Sequence, residues 1–199
     1  MLRCAISPGE LACLFDVRER ALAAAALVAR SHEIAEEGVN LLIVREKDLA
    51  PGELVHLVRD VVAAVRGWGT RVLVAGRLDV AFAAGASGVH LSSAAGELRP
   101  GQVRRLMPRA VVSVSCHSVA EIRTAVEMGA DAGLFAPVFG KWVNGRQVNA
   151  GVGLENLREA AQAGAPMPVF ALGGVRAEDV AACGDAGAAG VAGIRLFFP

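Results

Sequence analysis

Eight short runs rich in Val, Ile, Leu and Phe punctuate the chain, at residues 4–6, 41–45, 72–75, 88–91, 111–116, 133–139, 169–172 and 190–194. Between them lie longer amphipathic or alanine-rich stretches, among them 20–35, 53–66, 119–128, 155–163 and 177–183, where apolar residues recur at helical spacing. Strand and helix therefore alternate. Strands that are apolar almost without interruption, separated by helices, imply a parallel sheet covered on both faces, and eight such units can close into a (β/α)8 TIM barrel. An open doubly wound sheet is the alternative.

A local repeat supports this reading. Gly85-Ala86-Ser87-Gly88, Gly129-Ala130-Asp131-Ala132-Gly133 and Gly187-Ala188-Ala189-Gly190 each precede an apolar run, as a helix-ending glycine followed by a strand would. Gly85 to Gly129 is 44 residues and Gly129 to Gly187 is 58, so the later interval holds extra chain. The extra residues are placed at 140–153, a stretch carrying four glycines and the polar Lys141, Asn144, Arg146, Gln147 and Asn149, which reads as a long loop and a candidate lid. After the eighth run the chain reaches Pro199 with no room for a full eighth helix, so that helix is expected to be absent or shortened. Its strand would need another cover, either a neighbouring subunit in a homo-oligomer or the segment 11–18.

Composition narrows the partners. At 199 residues the chain suits one domain spanning 1–199. Twenty Lys+Arg balance twenty Asp+Glu, which leaves no net field to draw it to nucleic acid or an acidic membrane surface and favours a small-molecule partner. The hydrophobic fraction is 54%, yet no apolar run approaches the ~20 residues of a membrane span, and the first twenty residues lack the order of a secretory signal. The chain reads as soluble and cytoplasmic. Cys4, Cys13, Cys116 and Cys183 form no C-x-x-C pair and read as reduced thiols, not zinc ligands.

In a TIM barrel the functional groups gather where strands end and loops begin. The seventh run ends in Gly173-Gly174 and the eighth in Gly193-Ile194; the loops after these two strands are the usual phosphate site, where backbone N–H groups can approach an anion. Arg45 and Lys47 close the second run and project to one side if the extended conformation persists, either as cations for a carboxylate or phosphate or as partners of Glu46 and Asp48 in a surface ion-pair cluster. His117 follows the fifth run, where an imidazole could move a proton for a bound substrate. Ser115 shares the His117 face, while Cys116 points the other way and cannot pair with it. Ser118 with Glu121 reads as a capping box and Asp79 as a helix cap. Gly76-Arg77 and the segment His90-Leu91-Ser92-Ser93 complete the ring without a carboxylate at either strand end. No metal and no cofactor is expected, because a Mg2+-bound diphosphate would call for converging carboxylates.

The order R-E-K-D-L at 45–49, G-R-L-D-V-A at 76–81, G-V-H-L at 88–91, C-H-S at 116–118, A-P-V-F at 136–139 and A-L-G-G-V at 171–175 resembles the thiamine phosphate synthase/TenI family over nearly the whole chain. The resemblance implies a barrel acting on a small phosphorylated substrate, a thiazole phosphate, in thiamin biosynthesis. The synthase branch typically carries an Asn-Asp pair before the strand-three Arg, a Gln-Glu-Asp run after strand four and a Pro-Thr-x-x-Lys-like loop; these places hold Ala75-Gly76, Ser93-Ala94-Ala95 and Gly140-Lys141-Trp142-Val143-Asn144. The thiazole tautomerases, the TenI-like branch, are more similar in their Gly-Arg, their Ser-x-His-Ser and their non-acidic loop after strand four, although Ala75 stands where that branch tends to place Asn. By that resemblance His117 is the proton-transfer residue of an isomerase, with Arg45, Lys47, Arg77, Ser115, Gly173, Gly174, Gly193 and Ile194 holding substrate. A thiamine phosphate synthase and a non-catalytic phosphate-binding regulator are the alternatives.

Overall fold

The structure, a computed structural model, describes every residue except Phe15, Ala94, Ala95, Asn144 and Gly145, and gives no side-chain description for Ala12 and 141–149. The expectations attached to Ala94, Ala95 and Asn144 lie outside the described residues.

Eight parallel strands close into a barrel. In chain order the elements are β1 (Leu2–Ile6), α1 (Val17–Glu36), β2 (Leu41–Val44), α2 (Pro51–Ala64), β3 (Arg71–Ala75), α3 (Leu78–Ala84), β4 (Gly88–Leu91), α4 (Pro100–Leu106), β5 (Val111–Cys116), α5 (Val119–Glu127), β6 (Ala132–Phe135), β7 (Lys141–Val143), β8 (Arg146–Asn149), α6 (Gly153–Gly164), β9 (Val169–Ala171), α7 (Val180–Asp185) and β10 (Gly190–Gly193). Around the barrel the order is β1-β10-β9-β6-β5-β4-β3-β2, so every crossover returns beside its predecessor and β10 closes on β1. The open-sheet alternative is excluded.

Local chemistry explains the punctuation. Asp16 starts α1 by accepting from the backbone N–H groups of Arg18 and Glu19. In the glycine repeat, Gly85, Gly129 and Gly187 end their helices at positive φ, while Gly88 and Gly190 begin strands where a Cβ would run into the neighbouring backbone at Val111 and Leu2. Ser118 caps α5 by accepting from Glu121 N–H at 3.2 Å, and the Glu121 carboxylate returns to His117 N–H at 2.9 Å, one residue earlier than a standard capping box.

Three expectations change. The stretch 140–153 is no plain loop: β7 and β8 pair antiparallel as a two-stranded hairpin. The sixth run stops at Phe135, because Val138 and Phe139 leave the strand line and donate to the carbonyls of Leu172 and Gly173, both at 2.9 Å. After β10 the chain turns, with Phe197 and Phe198 N–H both bonded to Ile194 O, and drives Phe197 fully into the cluster built by α1 and α2. Arg30 Nε holds the Phe197 carbonyl at 2.8 Å and the Arg3 guanidinium lies 5.2 Å from the ring centroid. Phe197 is thus a plug in that cluster, and burying one Phe contributes roughly 1.5–3 kcal/mol.

The core has two layers. Cys4, Ile6, Leu41, Ile43, Leu73, Leu134, Phe170 and Ala192 fill the barrel, while Ala5, Leu42, Val44, Val72 and Val74 point outward against α1, α2 and α3. No helix among the described residues is long and apolar enough to cross a membrane.

Candidate functional site

The same alternation that fills the barrel builds its mouth. Ile43 faces in, so two residues on Arg45 does too; Leu73 sets Ala75, Phe170 sets Leu172, Ala192 sets Ile194, and along β4 and β5 the inward positions are His90, Ser113 and Ser115. Arg45, Ala75, His90, Ser115, Leu172 and Ile194, with Lys47, Gly76 and Glu97, bound a cavity of ≈210 Å³ at the carboxyl ends of the strands. Arg45, Lys47, Ser115 and Ile194 are thus brought together.

Glu46 settles the question of ion pairing. It is 2% exposed and faces away from the cavity, accepting from Ser7 Oγ at 2.7 Å, Gly9 N–H at 2.9 Å and Leu11 N–H at 3.1 Å. It anchors the β1–α1 loop and does not neutralise Arg45 or Lys47. Among the described residues neither cation is in a salt bridge, and both line the cavity together with the Glu97 carboxylate. Gly9 lets the loop pass close: a Cβ there would sit 2.9 Å from Arg45 Nη1.

His90 lies on the cavity wall with both ring nitrogens engaged, Nδ1 with Ser113 Oγ at 2.8 Å and Nε2 with Ser115 Oγ at 2.9 Å. Burial, then the Lys47 and Arg45 charges, push it down from the usual histidine value to about 4, so its imidazole is neutral near pH 7.

His117 stands elsewhere. It is exposed, two residues beyond Ser115 on the rim, and is not among the cavity-lining residues. Its Nδ1 is 2.7 Å from Ala136 O. A carbonyl only accepts, so Nδ1 donates and Nε2 of the neutral ring keeps a lone pair. Cys116 beside it is buried in the outer layer and its thiol is pushed up to about 12 by burial, which leaves it inert as a nucleophile.

On the opposite rim Gly173 and Gly174 hold φ of 90° and 72°. A Cβ on Gly173 would lie 2.7 Å from Pro137 Cα, and one on Gly174 2.9 Å from Gly140 O. The Gly173 carbonyl is spent on Phe139, whereas the N–H groups of Gly173, Gly174 and Ile194 donate to no acceptor among the described residues. β9 and β10 pair only at Phe170–Gly190 and Ala171–Val191 before parting, which leaves these amides unpaired at the strand ends. Gly193 differs: it lies in the ladder opposite Ala5.

Arg77 stays out of the cavity lining. It occupies the residue before α3 and clamps Asp79 in two bonds of 2.9 and 2.6 Å, so Asp79 is an ion-pair partner in the first helical turn and not the cap expected of it. Sequence reasoning placed His90 in the ring without giving it a role and passed over Glu97, because it inspected residues beyond each strand end. The signal for His90 was present: Val89 and Leu91 are both apolar and face the outer layer, so the residue between them must face the barrel axis.

The geometry can now be set beside known proteins. A family profile described as thiamine monophosphate synthase (TMP-TENI) matches residues 14–197. A protein of Aquifex aeolicus named putative thiamine-phosphate synthase 2 is 32% identical over 188 residues, covering 94% of this chain and 98% of that one. The thiamine-phosphate synthase of Methanoregula boonei is 38% identical, with 76% and 71% covered. The thiamine phosphate pyrophosphorylase of Pyrococcus furiosus shares the fold with a TM-score of 0.77 at 23% identity, covering 97% of this chain and 85% of that one. With a family match running almost end to end and relatives above 30% identity over most of its length, this chain belongs to the thiamine monophosphate synthase (TMP-TENI) family.

Proposed function

We propose that the chain is an enzyme of thiamin biosynthesis that binds a carboxythiazole phosphate and tautomerises it by proton transfer. The observation that carries this is the His117 ring, whose Nδ1 bond to Ala136 O leaves Nε2 as the proton acceptor at the rim. The phosphate would lie on the N–H groups of Gly173, Gly174 and Ile194, and the carboxylate would turn toward Arg45, Lys47 and Ser115. His117 Nε2 then takes the proton from the ring carbon that bears the carboxylate. The C–H electron pair moves into the ring as it becomes aromatic, and the exocyclic carbon receives a proton, so the composition is unchanged.

A second reading is favoured by the comparisons: the relatives are named thiamine-phosphate synthases, which supports joining hydroxymethylpyrimidine diphosphate to thiazole phosphate. That reaction implies Mg2+ on the diphosphate. The cavity offers Glu97 as its one lining carboxylate, beside two cations, and among the described residues no three His, Cys, Asp or Glu side chains cluster as metal ligands. The residues fit that metal poorly, and no step is routed through it.

One pair of assays decides between them. The purified chain is given the non-aromatic carboxythiazole phosphate tautomer without metal, and the aromatic product is followed by absorbance. In parallel it is given hydroxymethylpyrimidine diphosphate, thiazole phosphate and Mg2+, and thiamin phosphate is measured. Turnover in the first alone supports the tautomerase; turnover in the second establishes the synthase; turnover in neither leaves the non-catalytic binding barrel.

A further inference from the structure

Ser113, His90 and Ser115 form a chain of hydrogen bonds running from the fully buried barrel interior to the cavity wall. The two serines lie on the same face of β5 and the imidazole bridges them from β4, a pairing set by the register His90–Ser113. The direction of donation along such a chain decides what its cavity end offers a ligand.

Burial fixes that direction. Ser113 is 0% exposed, and His90 Nδ1 is the one hydrogen-bond partner of its hydroxyl among the described residues. Were the imidazole protonated on Nδ1, Ser113 Oγ would have to accept, and its own O–H would be buried without an acceptor. A doubly protonated ring fails for the same reason and would also face Arg45 and Lys47. Buried donors without acceptors are costly, so Ser113 donates to Nδ1. Nε2 then carries the ring proton and donates to Ser115 Oγ. With its oxygen accepting from the ring, the Ser115 O–H points to the cavity.

We infer that the Ser113–His90–Ser115 chain is polarised outward and presents the Ser115 O–H to the cavity, so that the inner end of the cavity, with Arg45 and Lys47 beside it, favours an anionic oxygen over a donor group. Arg45 and Lys47 line the same space and add charge of the matching sign; among the described residues Glu97 is the one acid on the wall. His90 and Ser113 are positioning residues, acting on the ligand through Ser115. Only the choice of probe, a carboxythiazole phosphate, rests on the proposed function.

Two measurements test this. The 15N spectrum of the labelled chain at neutral pH distinguishes protonated from unprotonated ring nitrogens without any ligand; Nε2–H with unprotonated Nδ1 is expected at His90, and Nδ1–H overturns the inference. By calorimetry, carboxythiazole phosphate should bind more tightly than its carboxamide, and Ser115→Ala should lower the carboxylate affinity about 10- to 100-fold, as for a lost bond to a charged group. Ser113→Ala should weaken binding in the native background and add nothing in the Ser115→Ala background. An additive loss, or equal affinity for the carboxamide, overturns the inference. Should the chain turn over no thiazole, the tautomerase reading falls while the His90 tautomer still decides this one.

Discussion

Two histidines stand at the carboxyl ends of neighbouring strands, His90 within β4 and His117 just beyond β5, and the difference between them lies in what is left of each ring after the protein has used it. His90 spends both nitrogens on serines, is held neutral by burial and by two nearby cations, and can only orient what it touches. His117 spends one nitrogen on a backbone carbonyl and keeps the other. The residue inside the cavity is therefore a scaffold, and under the proposed function the residue on its rim is the one that moves the proton. Depth in the site and chemical competence run in opposite directions here, because a proton-transfer group needs an unsatisfied lone pair and a buried positioning group cannot tolerate one.

The largest effect expected from this contrast belongs to His117. Replacing it with Gln should lower the tautomerisation rate constant about 10²- to 10⁴-fold, the usual contribution of a positioned general base. The KM should change little, since phosphate and carboxylate are held by other groups. A rise in KM at unchanged kcat, measured by steady-state kinetics, would return His117 to a binding role and break the contrast.

His90 should show itself through pH and stability. Its folded value of about 4 lies below the unfolded value near 6.5, so between those limits the unfolded chain takes up a proton that the folded chain refuses. The stabilisation is complete above pH 6.5, declines as pH falls through the window and levels below pH 4. The share due to this group is on the order of 3 kcal/mol. Urea midpoints measured at pH 7 and pH 4.5 should fall less steeply for His90→Gln than for the native chain; equal slopes would mean that the imidazole is not buried neutral.

The alternation that hides His90 from strand-end reading is the feature the sequence shows best. All eight barrel strands were legible because each run is mostly apolar, even where His90, Ser113 and Ser115 interrupt the inward face of β4 and β5, and the site positions at Arg45, Ser115 and Ile194 follow from counting in twos. The rest was lost for specific reasons. α3 and α4 are seven residues each, too short to display two turns of periodicity. The β7–β8 hairpin is built from polar residues and glycines, whose pairing no apolar pattern announces. The Phe197 plug depends on Arg30, 167 residues away along the chain, and on the distant α1–α2 cluster, and Glu46 is held by no cation but by three donors from the β1–α1 loop. Contacts of that range leave no local trace.

Arg45 and Lys47 test the mouth as a charged surface. Because neither is paired with a carboxylate among the described residues, their charge is available to a ligand. Arg45→Gln should weaken binding of a carboxythiazole phosphate about 10- to 100-fold by calorimetry, the range for one charge-assisted hydrogen bond. The loss should shrink for the thiazole phosphate lacking the carboxylate. An equal loss for both ligands would place Arg45 on the phosphate, and the division of labour between the two rims would have to be redrawn.

The smallest effect is expected at Arg77, the one cation proposed from the resemblance that the fold directs away from the cavity. Its guanidinium is held by Asp79 in the first turn of α3, where the carboxylate also faces the helix N-terminus. The Arg77 side chain is 35% exposed and that of Asp79 66%, so water screens the pair and its worth is about 0–1 kcal/mol. Pairing with Asp79 keeps the Arg77 charge from acting on the mouth, and no other atom of the side chain lines the cavity. Arg77→Ala should therefore shift the urea midpoint slightly and leave thiazole phosphate affinity where it was. A clear loss of affinity in Arg77→Ala, with none in Asp79→Asn, would show that the guanidinium leaves its partner and swings to the substrate.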